Sequence, residues 1–351
     1  MTVTENKALV AMSGGVDSSV AAWLMLKDGA SCAGANLRMW DAGGDSIADA
    51  QAVARRLGMD FHVFDAREDF RANVIDGFIC AYETGLTPNP CMECNRHMKF
   101  GVLVEKALEL GFDWVVTGHY ARICRDEATG RYLLRKAADV AKDQTYFLAC
   151  LNQHQLAHAK FPLGELTKDQ VRQIAQDQGF INARKRDSQD ICFVPDGDYV
   201  RFMKEYTGKN YPAGDYLDLS GKVVGRHSGA VAYTLGQRKG LGLAMGAPVY
   251  VCAKDMVKNT VTVGPNEALF ATTLRAKDWN WLPFPALTEP MRVMAKARYR
   301  HTEQPATVYP EKDGFARVVF DTPQRAMTPG QAVVLYDGDT VIGSGTITEI
   351  L

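Results

Sequence analysis

Ser13-Gly14-Gly15-Val16-Asp17-Ser18-Ser19 follows directly on the apolar run Ala8 to Met12 and opens an amphipathic stretch, Asp17 to Lys27, that Gly29 closes. Apolar run, small-residue turn and amphipathic stretch read in order as strand, loop and helix. The two glycines let the backbone approach a bound group, and the hydroxyls add donors. The unpaired N–H groups of the helix's first turn carry a partial positive charge. The segment therefore predicts a phosphate-binding turn. Asp17 would be misplaced against a bare polyanion, so a magnesium ion is expected beside it. The loop has no Gly-Lys-Ser/Thr ending, which argues against a Walker-type NTPase.

Outward from this loop, residues 7 to about 185 alternate short apolar runs with amphipathic stretches, the pattern of βα units around a largely parallel sheet. Leu37 to Trp40 ends a second strand. Ser46 is placed to cap the next helix, with Asp49 at its third position and Gly58 past its end. Asp60 to Phe64 reads as a third strand. Met98 to Leu110 carries a helical stripe stopped by Gly111, Trp114 to Thr117 follows as a strand, and Thr167 caps a helix that ends before Gly179. Past residue 200 the chain turns to glycine-spaced, β-branched segments: Val249 to Cys252, Thr260 to Val263, Arg292 to Arg298, Ala316 to Phe320, Ala332 to Tyr336 and Val341 to Thr348. These predict antiparallel strands, with Asp313-Gly314 and Asp337-Gly338 as hairpin turns. The expected organisation is an α/β nucleotide-binding domain over 1–200, a β-rich domain over 201–275 and a β-barrel over 276–351, with Trp279 to Pro285 near the second boundary.

The chain has 351 residues, 46% of them apolar, enough for two or three cores rather than one. No long uncharged apolar run is present, and Met1 to Lys7 lacks the features of a secretion signal, so no membrane partner and a cytoplasmic location are expected. A net charge of −1 gives no global attraction to nucleic acid, so any RNA must be held by local basic patches.

The eight cysteines are too sparse for a disulfide framework. Two segments single themselves out. In Thr87-Pro88-Asn89-Pro90-Cys91-Met92-Glu93-Cys94-Asn95 a thiol sits in a proline-rich loop just before a helix, where it can be exposed and its thiolate favoured by the helix dipole. In Asp187-Ser188-Gln189-Asp190-Ile191-Cys192-Phe193 a second thiol follows the basic run Arg184-Lys185-Arg186, whose charge also favours thiolate. Read singly, Cys91 and Cys94 could be a zinc half-site or redox pair, and Cys192 a small buried hydrophobe. No second Cys-x-x-Cys completes a four-thiolate zinc site.

The glycine-rich string resembles the PP-loop of the ATP pyrophosphatases, and with the cysteine segments the chain resembles the tRNA-specific 2-thiouridylase family. The likeness extends through Thr117-Gly118-His119-Tyr120, Lys142 to Leu148, Phe161-Pro162-Leu163-Gly164, Tyr233 to Gly240, Lys296 to Arg300 and Thr328-Pro329-Gly330-Gln331. It implies a Rossmann-like PP-loop domain that holds ATP through Ala11, Met12, Ser13, Gly14, Gly15, Val16, Asp17 and Ser18, together with Leu37 and Gly118. It implies that Asn89, Pro90 and Cys91 face the target base. His119, Lys142, Asp143, Gln144, Arg298, Tyr299 and Gln331 would hold the tRNA. The implied reaction is ATP-dependent 2-thiolation of the wobble uridine: the C2 oxygen is adenylated and replaced by sulfur. Cys192 would carry a persulfide received from a sulfur-relay protein or cysteine desulfurase, and Cys94 would attack or form a transient disulfide. Some members have aspartate after Asn-Pro where this chain has Cys91, which removes an acid–base candidate. It also makes a trio, Cys91, Cys94 and Cys192, that could ligate an iron–sulfur cluster. The alternatives are another PP-loop ligase, which has no use for the thiols, and a non-catalytic tRNA-binding protein, which has no use for the phosphate loop.

Overall fold

The computed structural model describes residues 6–40, 44–183, 185 and 191–351, with only the backbone of residues 44–46. Its first sheet runs in the order Asp60–Asp65, Ser31–Arg38, Lys7–Ala11, Trp114–Val116, Ala159–Lys160, with every neighbouring pair parallel. Helices cover both faces, which is why the central strand reads as unbroken apolar sequence: Leu9 joins one core, while Ala8 and Val10 join the other. The strand order reverses between Lys7–Ala11 and Trp114–Val116. Loops leaving the two strands there diverge and open a crevice at their carboxyl ends.

Three local expectations are corrected. The second helix begins at Gly44, so Ser46 lies in its first turn rather than at its cap, and its side chain is outside the described residues. The stripe expected as one helix from Met98 to Leu110 is a π-helix over Cys94–Val102 running into an α-helix over Leu103–Glu109. Over so few residues the two periods give the same apolar stripe. The Cys-x-x-Cys segment is itself helical, starting at Pro90 with Asn89 as N-cap, whose side chain accepts from the Met92 N–H at 3.3 Å. The helix expected after Thr167 spans Lys168–Asp177, and Thr167 and Gln170 form its capping box.

A second sheet, ordered Tyr250–Asp255, Thr260–Gly264, Gly214–Leu217, Val223–His227, holds the middle of the chain. Its Thr260–Gly264 and Gly214–Leu217 strands pair in parallel, against the expectation of a wholly antiparallel tail. The third sheet closes on itself. Phe270–Trp281, Ala316–Arg325, Gln304–Pro310, Met291–Lys296, Ala332–Asp337 and Thr340–Ile350 follow in order, and the last pairs back onto the first as a six-stranded barrel without free edges. Asp313 and Gly314 have φ of 58° and 75°, the two left-handed positions of a tight hairpin turn. Trp279 and Trp281 mark no boundary: their rings stack at 4.5 Å on a strand that runs through residues 275 and 276. An unforeseen hairpin, Arg122–Arg125 with Tyr132–Arg135, leaves the nucleotide-binding region and joins the barrel sheet beside Thr340–Ile350. It fastens the barrel next to the crevice. Among the described residues no helix is long and apolar enough to cross a membrane.

Candidate active site

The crevice is a cleft of about 740 Å³ including its open mouth, lined by Ala11, Met12, Ser13, Asp17, Ser18, Leu37, Gly118 and His119 among others. Gly14 takes φ 74°, which only glycine adopts without strain, and Gly15 serves as N-cap without any side-chain cap. The helix N-terminus therefore faces the cleft with no capping side chain over its N–H groups, the arrangement that binds phosphate. The Ser18 and Ser19 hydroxyls donate back to the Gly15 carbonyl at 3.1 and 3.0 Å.

Residues that the sequence did not flag brace this loop from a distance. Buried Asn182 donates to the Gly14 carbonyl at 3.1 Å and to the Ser19 hydroxyl at 3.0 Å, and Asn36 donates to the Met12 carbonyl at 2.8 Å. Lys168 reaches both oxygens of Asp17 at 2.8 Å, and the Tyr120 hydroxyl donates to the same carboxylate at 3.0 Å. Asp17 is thus already charge-compensated. Lys185, expected to act on Cys192, instead pairs with Asp49 at 2.9 Å beside the loop. Arg184, Arg186 and Asp187 to Asp190 lie outside the described residues.

Cys94 is buried, 8% exposed, with its sulfur 3.8 Å from the Met39 sulfur, and Met39 lines the nucleotide cleft. Cys91 and Cys192 reach the surface. The three thiols lie close enough for charge on one to oppose charge on another: Cys192 and Cys91 both act on Cys94, and Cys91 acts on Cys192. The crevice and the sulfur atoms therefore adjoin. Burial pushes the Cys94 thiol up to about 11, and the packing around Cys91 and Cys192 raises theirs too although both side chains touch solvent, so a helix terminus has not made any of them a ready thiolate. The cation that opposes this push at each thiol is Lys99, which also lines the nucleotide cleft. Among the described residues no three His, Cys, Asp or Glu side chains gather as a metal-holding group, so the thiols as arranged do not fit an iron–sulfur cluster.

The residues expected to hold RNA divide into two groups. At the barrel rim Tyr299 lies 4.4 Å from Phe147 by ring centroids, and Lys296 acts on Asp143, so the Lys142–Gln144 and Arg298–Tyr299 segments meet. Lys296, Arg298 and Arg325 all bear on His301, a local basic cluster in a chain of near-zero net charge. Asp143 and Gln144 have internal tasks: Asp143 accepts from the Ala137 N–H at 3.1 Å and Thr145 hydroxyl at 2.6 Å, and Gln144 accepts from the Tyr120 N–H at 2.9 Å. Arg298 donates to the Leu235 carbonyl at 3.0 Å and contacts the Thr328 hydroxyl. His119 lies in the cleft wall between Phe100 and Phe161, with Nδ1 2.7 Å from the Thr117 hydroxyl. Burial, with Lys99 nearby, holds its imidazole neutral.

Gln331 donates from the barrel to the Thr87 and Pro88 carbonyls, both at 3.0 Å, and so fixes the loop that leads into Asn89 and Cys91. Each such bond contributes about 0.5–1.5 kcal/mol net. Gln331→Ala is expected to loosen this loop, speeding hydrogen exchange of the Met92 amide severalfold while leaving the amides of the Ser13–Ser19 loop unchanged, as hydrogen-exchange mass spectrometry would reveal.

Three family models match in succession: one described as a tRNA methyl transferase HUP domain over residues 6–196, one as a tRNA methyl transferase PRC-barrel domain over 200–265, and one as an aminomethyltransferase beta-barrel domain over 271–347. Curated relatives cover nearly all of the chain. A protein of Clostridioides difficile is 45% identical over 356 residues, 98% of this chain and 99% of its own. One of Acetivibrio thermocellus is 46% identical, covering 98% and 100%, and one of Symbiobacterium thermophilum is 48% identical, covering 98% and 93%. All three are described as tRNA-specific 2-thiouridylase MnmA. Among solved structures, a 4-thiouridine synthetase–RNA complex with bound ATP aligns with 58% of this chain and 50% of its own at 17% identity and a TM-score of 0.34, a distant likeness.

Proposed function

This chain belongs to the tRNA-specific 2-thiouridylase family, and from that premise and the geometry of the crevice we propose that it converts the wobble uridine of tRNA to 2-thiouridine with consumption of ATP. The observation that carries the reading is the adjacency of a phosphate-binding helix terminus to Cys94, through Met39, and to the three thiols together, through Lys99. A uracil C2 oxygen is a poor leaving group. Adenylation of that oxygen releases pyrophosphate and lets AMP depart with the oxygen when sulfur attacks C2. Asp17 is the one carboxylate among the described lining residues, so a magnesium ion arriving with the nucleotide would have to share it with Lys168, and would supply charge neutralisation on the phosphates.

Their different exposure supports different tasks for the two thiols. Cys192, at the surface, receives the terminal sulfur from a sulfur-relay protein or cysteine desulfurase; Cys94, buried beside the nucleotide cleft, is out of a donor protein's reach. The terminal sulfur of the Cys192 persulfide forms the bond to C2, and Cys94 then attacks the Cys192 sulfur. That releases 2-thiouridine and leaves a Cys94–Cys192 disulfide for an external reductant. The target uridine must leave its stack to reach the cleft, at a cost of a few kcal/mol. Asn89 to Cys91 line its approach, and Lys142, Arg298 and Tyr299 hold the surrounding RNA at the rim.

The test is incubation with unmodified tRNA, ATP, magnesium and a sulfur source, followed by mass analysis of nucleosides. ATP-dependent 2-thiouridine at the wobble position is the expected result. AMP formation without any thiolated nucleoside, or tRNA binding without either, would overturn the reading.

A further inference from the structure

Cys94 and Lys99 are five residues apart, a separation that in an α-helix puts two side chains roughly 140° apart around the axis. Cys94–Val102 is a π-helix, bonded from each residue to the fifth beyond, and its wider turn brings positions five apart back to within roughly 50°. The π-helical stretch thus rotates Lys99 onto the face that carries Cys94. Gly101 fits this winding: a Cβ there would lie 3.0 Å from the carbonyl oxygen of Arg96, five residues back.

On that face Lys99 has two neighbourhoods. Its side chain lines the nucleotide cleft with Ser13, Asp17 and Gly118, and its charge bears on Cys91, Cys94, Cys192 and His119. Among the described residues no carboxylate pairs with it. The apolar cluster that holds Cys94 includes Phe70, Phe78 and Tyr82 from the helical segments before it and Phe193 beside Cys192, with Met39 packed on from the strand end. Among the described residues, the charged or titratable side chains acting on the three thiols are Lys99 and the thiols themselves.

We propose that Lys99 is the positioning residue of the sulfur-transfer step, an ammonium held in the wall of the nucleotide cleft by the π-helix so that negative charge can reside on the sulfur of Cys94 or Cys192. It acts through the sulfurs and is not itself a nucleophile. Burial alone would keep these thiols protonated at neutral pH, and sulfur transfer needs a thiolate. The proposal rests on the thiolation reading for its purpose but not for its test.

Full-length protein, without tRNA or ATP, is alkylated with iodoacetamide across a pH series, and the Cys94 and Cys192 peptides are followed separately by mass spectrometry. At a fixed pH below the thiol midpoint, Lys99→Met is expected to react roughly tenfold more slowly at both cysteines, while Lys99→Arg keeps the native profile. A Lys99→Met profile that superimposes on the native one overturns the proposal. So does an equal slowing in Lys99→Arg, because shape rather than charge would then be the cause. If Lys99→Met shows no cooperative melt, Lys99→Gln is measured under the same criteria. A shifted profile in a protein that makes no 2-thiouridine would sink the thiolation reading while leaving the electrostatic role of Lys99 intact.

Discussion

Cys192→Ser and Cys94→Ser are each expected to lower 2-thiouridine formation by at least about a thousandfold while leaving ATP binding unchanged. An alcohol at position 192 cannot carry a transferable sulfur, and one at position 94 cannot complete the disulfide that releases the product. Neither side chain is among those lining the nucleotide cleft. The two losses should not multiply in the double variant, since both residues serve one sequence of bond changes. Cys94 is 8% exposed among apolar neighbours, so a serine there also buries a hydroxyl at a cost of about 1–3 kcal/mol. Cys94→Ala separates that cost from chemistry: it should restore the melting temperature and not the activity. Cys91→Ser should keep most of the activity, because the sequence of steps uses two thiols. Nucleoside mass analysis with nucleotide titration reads all of these, and a Cys192→Ser protein that still accumulates 2-thiouridine would sink the persulfide assignment.

How much of this site could be read from residues alone follows from how local each feature is. The phosphate loop was legible because strand, glycine turn and helix are consecutive, and because Gly14 does adopt the left-handed φ of 74° for which glycine is suited. The barrel strands were legible through alternation, and the Asp313-Gly314 turn through its dipeptide. Asp17 could be seen in the loop, but Lys168, its partner 151 residues away, could not. Asn182 braces Gly14 from 168 residues away, and a single asparagine carries no pattern that points there. The Arg122–Arg135 hairpin pairs with the barrel across about two hundred residues, so its two short strands had no local reason to be assigned to that sheet. Lys99 escaped for a different reason. On an α-helical wheel it falls away from Cys94, and only the π-helix reverses that. Of the three thiols, Cys91 and Cys192 are exposed, and the environment of Cys94 alone differs from the expectation. A proline-rich loop suggested exposure, whereas folding starts the helix at Pro90 and turns Cys94 inward.

Gly118→Ala is expected to weaken ATP binding and, through it, thiolation, by less than the cysteine changes weaken sulfur transfer. Gly118 leaves the strand Trp114–Val116 on the other side of the crevice from the phosphate loop. A Cβ on it would lie 2.6 Å from the Asp17 carbonyl carbon, 2.7 Å from the Ser18 nitrogen and 2.8 Å from the Asp17 Cβ. No side-chain rotation relieves these contacts, because two are backbone atoms and the third is fixed to the backbone. The helix must instead shift along its start by a sizeable fraction of an ångström, taking with it the N–H groups that would hold the phosphates. Overpacking of this kind costs about 1–3 kcal/mol of stability, and a displacement approaching 1 Å at reacting groups can cost about a hundredfold in rate. The expected result is a weaker ATP affinity and a loss of thiolation of about a hundredfold at subsaturating ATP, only partly recovered at high ATP. Gly77→Ala is the control, since a Cβ there has nothing within 4 Å and the residue is helical. It should stabilise the protein by up to about 1 kcal/mol and leave nucleotide binding alone. Calorimetric titration with ATP, with melting curves of both variants, separates the two effects. Native ATP affinity in a folded Gly118→Ala protein would mean that the close approach of these two loops is not what shapes the phosphate site.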